Sequence, residues 1–167
     1  MAGKSATASG FLPSHRLSSP AMNLAIFGID VANAIIQAHP NINKWTIGGH
    51  SLGGAMAAEF VSTNPDSVEG LFLWAAYSAK NTDLSEFTNH KVLSVFGEKD
   101  YTVENIRASR KRLPPNTRWV EMQGANHGQF GWYGEHPGDG EANISREEQQ
   151  KRILKYTFEF LSELNKD

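Results

Sequence analysis

The sequence predicts an α/β protein, a three-layer α/β/α arrangement around a mainly parallel sheet of about four strands. Two observations carry this prediction. Short apolar runs recur near residues 44–49, 70–76, 91–96 and 117–122, as strands buried on both faces require. Between them lie segments with apolar residues at helical spacing, so the strands are joined by crossovers and run parallel.

The elements follow in order. Residues 1–20 are rich in serine, alanine and glycine without apolar periodicity and read as an irregular arm; residues 21–167 read as a single domain. Asn23 opens a helix that places Leu24, Phe27, Val31, Ile35 and Ala38 on one face, and His39-Pro40 ends it. Lys44-Trp45-Thr46-Ile47 forms a buried strand, and the run from Ala55 to Val61 belongs to the helix after it. A short helix is expected around 82–88, and a longer one over 102–112, with Thr102 as its N-cap and Pro114-Pro115 as its stop. The final helix starts at Ser145, where Glu148 completes a capping box, and presents Ile153, Thr157, Phe160, Leu161 and Leu164 to the core.

Composition narrows the function. The 167 residues are 40% hydrophobic and 20% charged, ordinary values for one folded core. A net charge of −2 gives a polyanion no basic surface, so nucleic acid is not an expected partner. The absence of cysteine excludes disulfides and thiolate metal sites. No apolar run is long enough to span a membrane, and Met1 to Pro20 lacks the apolar core of a secretory signal; a cytoplasmic protein is the expectation.

The chemistry is concentrated in Gly48-Gly49-His50-Ser51-Leu52-Gly53-Gly54, which sets Ser51 in a G-x-S-x-G pattern between a strand and a helix. A serine there sits on a strained strand-to-helix turn with its hydroxyl exposed, and the flanking glycines make room where the two elements nearly touch. The Leu52 N–H, next in the chain, is positioned to receive a developing oxyanion. Asp100 lies just past the Val92-to-Gly97 strand, and His127, in Asn126-His127-Gly128, just past the 117–122 strand. A serine nucleophile, an acid and a histidine suit acyl transfer, with the histidine as general base and the acid orienting it. Glu98 and Asp83 are rivals for the acid; Asp100 is preferred for its shorter side chain at the loop tip. His50 is expected to pack beside the turn and to border the substrate site. Between Gly124 and Ser145 the connection is unusually long. Its Phe130, Trp132, Tyr133 and His136 either wall a substrate pocket or pack on their own loop. His127, His136 and Asp139 match no ligand spacing, and no metal is expected.

On these residues the chain resembles the serine hydrolases of the α/β-hydrolase fold, and among them the small esterase-like or dienelactone-hydrolase-like branch. The matching segments are Gly48 to Ala58, Val92 to Asp100, Trp119 to Phe130 with the following Gly-Trp-Tyr-Gly, and Ile144 to Gln150, and the resemblance as a whole extends over roughly residues 22–164. The resemblance implies Ser51 as nucleophile, His127 as base, Asp100 as orienting acid, a small ester as substrate and no cofactor. It departs from the family at the front, where strands usually precede the nucleophile, so a truncated version of the fold is expected. Leu52 is then the one oxyanion donor that can be named, and the arm between Phe11 and Asn23 is the place to seek a second. An unpaired edge at 44–49 leads to the expectation of a homodimer. The alternative function is a weak or inactive remnant serving as a binding or assembly module.

Overall fold

A computed structural model of the chain describes residues 28–132 and 134–164. The arm at 1–20, the helix positions Leu24 and Phe27, the segment from Phe11 to Asn23 and Tyr133 lie outside the described residues. The described residues fall into two units, divided between Asn43 and Lys44. In the first, α1 spans Gly28–Ala38 and stops just before His39-Pro40, because a proline disfavours helical geometry in the residue ahead of it.

The second unit holds a parallel sheet of four strands in the order β1-β2-β3-β4. These are β1 (Thr46–His50), β2 (Gly70–Trp74), β3 (Lys91–Gly97) and β4 (Arg118–Met122). The helices are α2 (Leu52–Thr63), α3 (Val103–Ala108) and α4 (Arg146–Leu164). Alternation along the strands sorts the faces. Phe72, Trp74, Leu93, Val95 and Val120 turn towards α4, joining Ile153, Phe160 and Leu164 in one core cluster. Trp74 satisfies its indole by donating to Thr157 Oγ1 on α4 at 3.1 Å, as a buried Trp N–H must. Leu71, Leu73, Val92 and Phe96, all 2% exposed or less, point to the opposite face. Burying each such side chain contributes roughly 1.5–3 kcal/mol, which is what keeps these two layers on the sheet.

Three local expectations need revision. No helix forms at 82–88, which is a run of turns. Asp83 Oδ1 accepts the Ser85 N–H at 2.9 Å, a local side-chain bond that competes with helix formation. The helix at 102–112 is shorter, α3 passing into a tighter helical turn over Ser109–Arg112. Thr102 does precede α3, yet its hydroxyl caps nothing in that helix. At Ser145 one half of the expected capping box forms, its Oγ accepting the Glu148 N–H at 3.2 Å, while the Glu148 carboxylate accepts from Arg152 Nε at 2.7 Å.

Candidate active site

β1 delivers Ser51 to its position. The serine has φ 53° and ψ −123°, a left-handed conformation that costs a residue with a Cβ on the order of 1–3 kcal/mol. The surroundings hold it there: Ser51 N–H donates to Trp74 O at 3.0 Å, and Ser51 O accepts from Gly54 N–H at 3.0 Å and Ala55 N–H at 3.1 Å. The glycine requirement is narrower than the motif suggests. A Cβ on Gly49 would lie 2.7 Å from the Gly53 carbonyl carbon, and one on Gly54 would lie 2.5 Å from Ala76 Cβ. A Cβ on Gly53 would meet nothing within 4 Å among the described residues. Leu52 opens α2 and is exposed; an N–H in the first turn has no carbonyl within its own helix to bond.

The loops after β3 and β4 bring Asp100 and His127 together. His127 Nδ1 lies 3.0 Å from Asp100 Oδ2, and the two side chains are 2% and 0% exposed. Asp100 Oδ1 accepts from both the backbone N–H and the hydroxyl of Thr102, each at 2.7 Å. With a carboxylate that only accepts, His127 donates through Nδ1 and its Nε2 remains to accept a proton. The rival acids are engaged elsewhere. Glu98 Oε2 accepts the Gly124 N–H at 3.0 Å, and Asp83 lies in a surface depression with Lys80, Lys111 and Arg112.

Aromatic rings enclose His127. The His50 ring is 4.6 Å from it, Tyr101 4.9 Å and His136 5.2 Å, and His136 also stacks on Tyr101 at 4.5 Å. Burial, and then the neighbouring His127 imidazole, push the His50 pKa down to about 4, so His50 is neutral near pH 7. Burial followed by the Asp100 charge raises the Tyr101 phenol. Phe130 belongs to the core, stacked on His50 at 5.8 Å, so it supports the site from beneath. Trp132 is 67% exposed with the Arg146 guanidinium 5.2 Å over its ring.

With a serine on a strained elbow and a buried Asp–His pair at the ends of neighbouring strands, the fold is that of a known family, and residues 8–151 match it. The chain belongs to the alpha/beta hydrolase family. Among solved structures, a carboxylesterase of the thaumarchaeon Nitrososphaera gargenis is similar at 13% identity, with 86% of this chain and 73% of that one covered and a TM-score of 0.60. A monoacylglycerol lipase of Paleococcus ferrophilus is similar at 17% identity, over 81% and 76% of the two chains, with a TM-score of 0.57. The match to a predicted CIB-like hydrolase of Thermoplasma acidophilum, at 21% identity and a TM-score of 0.47, takes in 61% of this chain and only 52% of that one. No curated protein matches the chain. At these identities the two structures with TM-scores of 0.60 and 0.57 show the fold alone.

Several residues around the Asp–His pair carry no motif of their own. Gln149, fully buried on α4, grips the loop that carries His127 from one side: its Oε1 accepts the Asn126 N–H at 3.2 Å and its Nε2 donates to Asn126 O at 2.8 Å. The one available signal is a polar residue at a helical position otherwise occupied by the core stripe. Thr102, read in the sequence as a helix N-cap, and Asp139, weighed there only as a metal ligand, bond to Asp100 and to the His127 backbone.

Proposed function

We propose that the chain is a serine hydrolase cleaving carboxylic esters of small acids through Ser51, His127 and Asp100. The observation that supports this best is the buried Asp100–His127 pair, whose imidazole lies 4.6 Å from the ring of His50, the residue before Ser51. In this reading His127 Nε2 takes the Ser51 hydroxyl proton as Oγ attacks the ester carbonyl. The tetrahedral oxyanion is met by the Leu52 N–H, while Asp100 holds the tautomer and stabilises the imidazolium. Collapse passes the proton to the leaving alcohol and leaves an acyl-Ser51 ester. Water, deprotonated by His127, then releases the acid. Leu52, His50 and Trp132 are the substrate-facing residues of this reading, the chemistry uses side chains and one backbone N–H, and the cytoplasm is its proposed setting. Among the described residues no helix is long and apolar enough to cross a membrane.

The test is a panel of chromogenic esters on the wild type and Ser51→Ala. Turnover by the wild type that the variant loses, with an unchanged far-UV circular dichroism spectrum, is the expected result; an active Ser51→Ala protein would remove the nucleophile assignment. A second reading, a weak or inactive module for binding or assembly, draws support from the enclosure of His127 by three rings. Fluorophosphonate labelling separates the two, since a working serine is modified and a silent one is not. A homodimer joined across β1, which ends the strand order among the described residues, is part of the same proposal; a monomer by light scattering at micromolar concentration would exclude it.

A further inference from the structure

We propose that Asp139 is a positioning residue for the acid–base pair, fixing His127 against Asp100 by accepting backbone N–H groups from both of their loops. The inference rests on the reading of His127 as general base. Asp139 Oδ1 accepts from His127 N–H at 3.0 Å and Tyr101 N–H at 3.3 Å, and Oδ2 accepts from Gly128 N–H at 2.7 Å. Tyr101 adjoins Asp100 in the chain, so one carboxylate spans the two loops whose side chains meet at 3.0 Å. A carboxylate suits this place because it only accepts, has room for several donors, and makes stronger bonds to N–H than a neutral oxygen does.

The backbone carrying Asp139 is itself tied to the same two loops. Gly140 N–H donates to Lys99 O at 2.9 Å, on the acid side. Gly140 O accepts from Asn126 Nδ2 at 3.0 Å, on the base side. A Cβ on Gly128 would lie 3.0 Å from Gly134 O and 3.5 Å from Asp139 Oδ2, so the segment is packed against the base turn with little room to shift. Asp139 touches neither reacting atoms nor substrate in the proposed mechanism; it acts through the aim of the His127 ring, where a displacement of about 1 Å is enough to cost about 100-fold in rate.

The experiment compares wild type with Asp139→Ala and Asp139→Asn by ester kinetics, by circular dichroism, and by NMR of protein labelled at the histidine ring nitrogens, with His127→Gln assigning the His127 signals. Asp139→Ala is expected to lower kcat by about 100-fold with KM little changed, and to turn His127 from a single Nδ1–H tautomer into a mixture. Asp139→Asn keeps one acceptor oxygen but faces Gly128 N–H with a donor, and should fall between the two. A folded Asp139→Ala protein whose His127 tautomer is unchanged overturns the proposal, whether or not its rate falls. If the wild type cleaves no ester, the proposed function fails, yet the tautomer still decides the positioning. If Asp139→Ala does not fold, the same readouts on Asp139→Asn decide it.

Discussion

Gly97 and Ala125 approach so closely that a Cβ on Gly97 would stand 2.3 Å from the Ala125 carbonyl oxygen. That carbonyl also accepts the Lys99 N–H at 2.8 Å. The contact is a seam between the end of β3, which leads to Asp100, and the loop after β4, which leads to His127. It is built entirely of backbone, so neither side can yield by a change of rotamer.

Gly97→Ala should therefore cost about 1–3 kcal/mol of stability, the usual penalty of overpacking, and should lower ester turnover by separating the two loops. Urea denaturation with parallel kinetics checks this. A variant as stable and as active as the wild type would show that the seam gives way easily.

Ser51 stores strain that a glycine would release. Its φ of 53° suits glycine, so Ser51→Gly is expected to be more stable than Ser51→Ala by about 1 kcal/mol while both lose hydrolysis. Equal melting temperatures for the two variants would mean that the elbow carries no such strain.

Thr102→Val keeps the backbone N–H that Asp100 accepts but removes the hydroxyl donor at 2.7 Å. Loss of a hydrogen bond to a buried charged group costs roughly 1.5–3 kcal/mol. The urea midpoint should fall with the slope unchanged. A midpoint at the wild-type value would assign the support of Asp100 to other groups.

His50 makes the fold sensitive to acid. Its pKa falls from 6.5 to about 4 on folding, so the unfolded chain binds this proton more readily than the folded one. The penalty is absent above pH 6.5, grows as pH falls towards 4, and totals about 3 kcal/mol below that. His50→Gln should lose less stability than the wild type between pH 6.5 and 4 in denaturation curves; identical pH slopes would show that His50 does not titrate differently on folding.

Much of this protein is legible in the sequence because its signals are local. An apolar run bounded by turn residues makes a strand wherever it lies, and a parallel sheet with helical crossovers carries the loops after its strands to one edge. The positions of Ser51, Asp100 and His127 just past β1, β3 and β4 follow from that rule alone. The G-x-S-x-G spacing likewise marks Ser51, which the fold holds at positive φ, from the sequence alone.

Other features belong to the tertiary structure. The bonds from Asp139 to His127 and from Gln149 to Asn126 join residues 12 and 23 apart in sequence, across loops without periodicity. The placement of Phe130 beneath His50 and the pairing of His136 with Tyr101 depend in the same way on where the long loop closes. Even Thr102, correctly read as the residue before α3, gives its hydroxyl to Asp100 instead of the helix. Sequence spacing determines which residues share a face or a strand end; which polar groups then satisfy one another is decided only when the loops are packed, since a buried donor bonds to whatever acceptor the closed chain puts within reach.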